Sequence, residues 1–399
     1  MLSESPPSAI ARCVGDATAF SEEVWGRRPQ RYAGADPGAY RDLIDLDVVD
    51  ELIGTGGLRA PSLRLVRDGS VLERATYTTT LVTGGRRVTD AIDPAAVLQA
   101  FDQGATIVLQ SLHRLLPSVR RFCSGLEQFF EHPMQANAYL TPTSSRGLAV
   151  HHDTHDVLVL QVLGVKRWRL YRTPTEHAVS GFPKPLRHRD PGEPVRVEQL
   201  QPGDCLYLPR GVPHDAVGVD GAALHLTLGI KSPTWLDVLE RVWSRAKENP
   251  ALRASLPIGY TEDPDAFAAA MADVLATTAE WMTRLDPEAL TRAEIERAEA
   301  RAPDPVGRLR ALVTAHMLEP DTRLCRASEV RWSVRLEGDR AILRAGSHAL
   351  GFPARVVSAL HHVMAADTVA GTDLGEHLDA EGAMVLVRRL HREGLLRRP

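Results

Sequence analysis

The chain has no cysteine pairing pattern, no surplus of basic charge and no long apolar run. Its four cysteines, Cys13, Cys123, Cys205 and Cys325, are isolated, and the nearest two stand 82 residues apart. That spacing excludes a zinc ribbon and a CxxC pair, and it suits a reducing, cytoplasmic setting. Lys and Arg number 47 against 51 Asp and Glu, a net charge of −4. Wholesale coating of nucleic acid is thereby excluded, while a local basic patch is not. The apolar stretch Val157 to Leu163 is interrupted by Gln161, far short of the roughly 18 apolar residues a membrane span needs. The first 20 residues lack the basic-then-apolar layout of a signal peptide. What remains is ordinary globular composition, 44% hydrophobic and 25% charged over 399 residues, enough for about two or three domains.

The texture changes along the chain. Residues 1–16, with Ser3, Ser5, Pro6, Pro7 and Ser8, read as a loose tail. Between residues 111 and 132, Leu112, Leu115, Leu116, Val119, Phe122, Leu126 and Phe129 recur at helical steps, with Pro117 starting or kinking the helix. From residue 137 to 230 short apolar runs alternate with Gly and Pro, which predicts a barrel or sandwich of short strands. Helical spacing returns after Ser232, from Trp235 to Met317, punctuated by Pro287, Pro303 and Pro305. The last 80 residues read as a hairpin about Gly338-Asp339 followed by short helices.

Two segments carry chemistry. Gly147 to Asp153 contains the H-x-D of His151 and Asp153, which on a strand would face one side. Gly203 to His214 follows the pattern G-x5-P-x-G-x2-H, with His214 placed 61 residues after Asp153. Two imidazoles and one carboxylate on one face of a metal leave the other face open, the arrangement of non-haem Fe(II) oxygenases. His152, between the two ligands, faces away from them. His155 is in phase with them and could reach the rim. His361-His362 lie on a helical pattern and read as surface residues.

These segments, with Asn137 to Pro142 and Asp156 to Tyr171, resemble the JmjC-type ribosomal oxygenases, a branch of the 2-oxoglutarate-dependent oxygenases. The resemblance implies a mainly β core with α, a double-stranded β-helix of the cupin/JmjC kind over 17–232 with its core at 137–230. It further implies a helical dimerisation region over 233–315 and a C-terminal winged helix over 316–399. By it, His151, Asp153 and His214 would bind Fe(II), and Lys166 would hold the distal carboxylate of 2-oxoglutarate. Strand alternation places Lys166, Trp168 and Leu170 on one face. Asn137, Tyr139 and Thr141, on a strand leading into the site, and His225, on the last strand of the core, are the remaining candidates for contacts with cosubstrate or substrate. Val150 replaces a proline and His152 a tyrosine common in the family, and both departures bear on the substrate more than on the metal.

The implied activity is hydroxylation of an Arg or His side chain in a ribosomal protein by a cytoplasmic homodimer. A peptide or small molecule of a biosynthetic pathway is an alternative substrate, with lysine demethylation a weaker one. A binding module is the competing class. Arg388, Arg389, Arg392, Arg397 and Arg398 cluster at the end of the chain with only Glu393 against them, so a cupin fused to a nucleic-acid-binding winged helix stays open. A zinc or manganese cupin would bind metal without 2-oxoglutarate.

Overall fold

A computed structural model describes residues 8–398 except 56, 144, 146, 174, 184–190, 302–304, 328–329 and 347. Two compact units divide between Ser232 and Pro233.

The first unit is built from strands β1 (Gln30–Tyr32), β2 (Leu63–Arg67), β3 (Ser70–Val71), β4 (Thr78–Thr83), β5 (Arg86–Ile92), β6 (Thr106–Leu109), β7 (Met134–Thr141), β8 (Asp156–Leu163), β9 (Lys166–Leu170), β10 (Arg196–Leu200), β11 (Cys205–Leu208), β12 (His214–Gly218) and β13 (Ala223–Ile230). Eight of them form one sheet in the order β1-β11-β8-β13-β7-β6-β2-β3, and β10-β9-β12 form a second sheet. The pairings within both are antiparallel. Alternation assigns each face of the large sheet its own core. Ala136, Ala138 and Leu140 of β7, with Leu158, Leu160 and Val162 of β8, face outward onto helical segments that supply Phe20, Val49, Val97, Phe122 and Leu126. Val157, Val159, Leu206 and Leu208 face inward and pack with Trp168, Leu170 and Leu200 of the small sheet. The result is the double-stranded β-helix, with its open interior between the two sheets.

Three expectations need correction. Residues 9–14 are a helix, not part of a loose tail; Ser8 caps it, and Ile10, Cys13 and Val14 are buried. Residues 1–7 lie outside the described residues. The helix expected over 111–132 is a turn of 3₁₀ helix (Leu112–Arg114) and then Pro117–Phe130, because proline at the first helical position starts a helix and cannot continue one. The sheet also begins well before residue 137: β2, β3 and β6 extend it, and β4 with β5 form a separate ribbon turning at Gly84-Gly85.

The second unit begins with helix Trp235–Trp243, capped by a reciprocal Thr234–Asp237 box. It continues through helices Pro264–Thr283 and Pro287–Arg301, neither of which buries a residue. From Leu318 onward the chain has a core of its own. A three-stranded meander (Trp332–Glu337, Arg340–Ala345, His348–Pro353) adds a third strand to the expected hairpin, and helices Val357–Ala365 and Ala380–Arg392 pack beside it. No helix among the described residues is long and apolar enough to cross a membrane.

Candidate metal centre

His214 opens β12, and His151 pairs with it in an isolated antiparallel bridge: His151 N–H donates to His214 O at 3.1 Å and His214 N–H to His151 O at 2.8 Å. The two imidazoles are therefore aligned by backbone pairing, with ring centroids 4.5 Å apart. Asp153 lies beyond the bridge in irregular chain rather than on the expected strand. Gly211 N–H donates to its carbonyl at 2.9 Å, so the turn leading into His214 holds the H-x-D segment. The three side chains offer ligand atoms all within 4.8 Å of one another.

The protonation pattern fits a divalent metal. Nδ1 of His151 lies 2.9 Å from Ala149 O and Nδ1 of His214 lies 2.9 Å from Val212 O. Each contact fixes the proton on Nδ1 and leaves Nε2 as a lone-pair donor. Burial lowers the His214 pKa to about 4, so its imidazole is neutral and able to ligate. Burial pushes the Asp153 carboxyl up, but His214 and His151 together pull it below its ordinary value. The donor set is thus one carboxylate and two imidazoles whose Nε2 atoms are free to ligate, and it suits Fe(II) in an open facial site.

Behind the triad lies a pocket lined by Tyr139, Thr141, Lys166, Trp168, His225 and Thr227, among others. Lys166 is 2% exposed, placed by the Gly164 turn at the start of β9. Its Nζ lies 3.2 Å from Nδ1 of His225. Burial lowers its pKa to about 7. Trp168 stands edge-on to His225 at 5.4 Å, and its buried indole N–H has no partner among the described residues. Tyr139 stacks flat on the other side of His225, at 4.8 Å and 4°. A buried ammonium without a carboxylate, beside an orphaned donor, is an environment made for an anion; a dicarboxylate that reaches the metal at one end fits it.

The structure brings Tyr139, Thr141, Lys166 and His225 into the pocket beside the triad. Asn137 does not line it; its Oδ1 accepts from Ser111 N–H at 3.0 Å, so it braces the strand from one side. His155 stands at the edge with Nδ1 3.2 Å from Lys231 Nζ. His361 and His362 are exposed, as expected. Sequence reasoning missed Thr106 and Asp215, which line the pocket together with Thr227. Thr227 shares the face of His225, and its alternation was the available signal. Asp215 carried none, because its burial depends on Arg169, one strand away. Arg169 Nε donates to Asp215 Oδ1 at 2.9 Å, and Nη2 donates to the other oxygen.

Residues 109–238 match the JmjC domain model. Ribosomal oxygenase 1 of Bos taurus is 33% identical over 61% of this chain and 36% of its own length. The bifunctional lysine-specific demethylase and histidyl-hydroxylase NO66 of Drosophila mojavensis is 30% identical over 60% of this chain and 27% of its own length. The chain thus spans about a third of these relatives. The structure of the Escherichia coli ribosomal oxygenase YcfD superposes with a TM-score of 0.54 and 17% identity, covering 96% of this chain and 97% of that one. The same protein in complex with cobalt and 2-oxoglutarate gives a TM-score of 0.50, also at 17% identity. At that identity the likeness shows the fold.

Proposed function

We infer function from the premise that residues 109–238 are a JmjC domain of the ribosomal oxygenase family: the chain is an Fe(II)- and 2-oxoglutarate-dependent dioxygenase that hydroxylates a protein side chain. The observation that carries this is the His151–Asp153–His214 triad opening onto a buried Lys166. Fe(II), once bound there with 2-oxoglutarate, supplies the activation of O₂ for C–H hydroxylation. The protein's residues do the rest. His151, Asp153 and His214 would hold the metal and leave room beside it for ligands. Lys166 and the Trp168 indole N–H would receive the distal carboxylate. Tyr139 and Thr141 form the wall toward the substrate.

A ribosomal protein is the substrate we propose, supported by the names of the relatives. Incubating the Fe(II)-loaded protein with ribosomal proteins and 2-oxoglutarate should add one oxygen to one of them, read by peptide mass spectrometry; no gain in any of them would reject this substrate class. The four free cysteines support a cytoplasmic location.

We also propose that 233–315 is a dimerisation region and 316–399 a winged helix. Trp235 is 83% exposed, and the 20-residue helix Pro264–Thr283 carries Met271, Val274 and Leu275 to the surface. Such apolar exposure favours a second copy. Light scattering at micromolar concentration should give twice the chain mass. The terminal arginines give little support to a nucleic-acid role. Arg388, Arg397 and Arg398 donate to the carbonyls of Leu318, Gly394 and Met317, and Arg389 pairs with Glu393.

A further inference from the structure

We propose that the Asp68-Gly69 turn joining β2 and β3 is a positioning element for the metal ligand His151, with Gly69 the residue that sets it. The turn holds the chain at 147–149, and through the Ala149 carbonyl it fixes the orientation of the His151 imidazole. This deepens, and rests on, the hydroxylase reading above.

β3 contributes nothing to the core: its two residues, Ser70 and Val71, are both exposed. Its pairing with β2, Arg67 against Ser70, closes a two-residue hairpin on Asp68 and Gly69. Their φ values of +51° and +79° are both left-handed, as a type I′ hairpin turn requires. The use of this turn lies on its other side. Gly69 N–H donates to Gly147 O at 3.2 Å, and Gly69 forms a parallel bridge with Leu148. Among the described residues this is the backbone hydrogen bond that ties 142–150 to another part of the chain. Those residues run from the end of β7 to the His151–His214 bridge, and Gly147 and Leu148 line the pocket. An exposed hairpin at the edge of the large sheet therefore holds the segment that delivers the first metal ligand.

The approach is closest one residue further on. A Cβ on Gly69 would stand 2.9 Å from the Ala149 Cβ, 3.2 Å from its N and 3.3 Å from its Cα. Carbon atoms pack at about 3.5–4.0 Å, so any side chain at 69 displaces residue 149. The carbonyl of Ala149 is the group that meets Nδ1 of His151 at 2.9 Å. That contact keeps the proton on Nδ1, sets the plane of the ring and leaves Nε2 for the metal. Displacing residue 149 therefore turns the imidazole or breaks the contact that orients it. His214 relies on a different carbonyl, that of Val212, so the turn acts on one imidazole of the two. Glycine at 69 meets two separate demands, a left-handed φ and the absence of a Cβ. The first belongs to the turn alone; the second belongs to the metal site.

The test titrates the full chain with Co(II), whose visible absorption reports both affinity and ligand geometry. Gly69→Ala should weaken Co(II) binding about 10- to 100-fold, the cost of losing a group that orients a ligand, and should shift the absorption band. Adding Ala149→Gly to Gly69→Ala removes the closest contact and should restore most of the affinity. Ala149→Val crowds the same contact from the other side with the φ of the turn untouched. It should weaken binding as well, and it decides the matter if Gly69→Ala does not fold. Gly84→Ala imposes the same kind of backbone strain, at φ of +57° with open space around it, and should leave Co(II) affinity as in wild type. A merely structural role for Gly69 would lower the melting temperature and leave the affinity and spectrum of the folded protein unchanged. Unchanged affinity in Gly69→Ala or in Ala149→Val, no recovery in the double variant, or an equal loss in Gly84→Ala overturns the inference. Failure of the wild type to bind Co(II) would overturn the hydroxylase reading, and the inference with it.

Discussion

Nζ of Lys166 lies 3.2 Å from Nδ1 of His225, and among the described residues no carboxylate pairs with that ammonium. Burial alone holds its pKa near 7. Binding the distal carboxylate of 2-oxoglutarate would restore the charged form. Below pH about 7 the ammonium is already charged and binding needs no proton. Above it, binding should take up a proton, approaching about one per ligand as pH rises, and affinity should fall with pH accordingly. Calorimetry of 2-oxoglutarate binding to Mn(II)-loaded protein, in buffers of different ionisation enthalpy at pH 8.5, checks this. No uptake would remove Lys166 from the cosubstrate site.

The same lysine should set function against stability. Its folded pKa lies below the unfolded value of 10.5, so the unfolded chain binds more protons between about pH 7 and 10.5, and stability rises with pH across that window. Below about pH 7 the buried charge costs most. Lys166→Met should therefore raise the melting temperature of the metal-free protein at neutral and lower pH. The gain should fade by about pH 10.5. It should also weaken 2-oxoglutarate binding by about 1.5–3 kcal/mol, the worth of a hydrogen bond to a charged group. Thermal melts and titrations of the two proteins against pH test both signs.

The turn that aims Lys166 depends on glycine. Gly164 has φ of +65°, and a Cβ there would stand 2.2 Å from Ala222 O. Gly164→Ala should cost about 1–3 kcal/mol in backbone strain alone, with a further loss from displacing β13. The denaturation midpoint should drop, and 2-oxoglutarate affinity should drop with it.

Asp204 anchors β1 to the turn before β11. It accepts from Arg31 Nη2 at 2.8 Å, Gly34 N–H at 3.0 Å and Gln201 N–H at 2.9 Å. Asp204→Ala strands a partner of a largely buried pair and should destabilise by about 3 kcal/mol. Metal affinity measured on the remaining folded protein should be unchanged.

The core strands were legible because glycine and proline punctuate them and alternation marks their faces: β8, β9, β11 and β13 stand where that pattern put them. The metal ligands were legible because the spacing from Gly203 to His214 encodes one turn and one strand. Strands β2, β3 and β6 were not. β6 is short and buried on both faces, β2 buries Leu63, Leu65 and Val66 without a regular alternation, and β3 is an exposed strand of two residues, so no alternation betrays them. The helix at Ala9–Val14 was hidden by its brevity and the Ser/Pro-rich segment before it.

The most direct measurement is succinate formed from 2-oxoglutarate when anaerobically Fe(II)-loaded protein meets O₂, with ribosomal protein present, in wild type and Asp153→Ala. Wild type should release succinate. Asp153→Ala should lose more than the roughly 100-fold that removal of a residue merely supporting a ligand costs. Equal release by both proteins, or none by wild type together with no 2-oxoglutarate binding, would contradict an oxygenase centred on His151, Asp153 and His214.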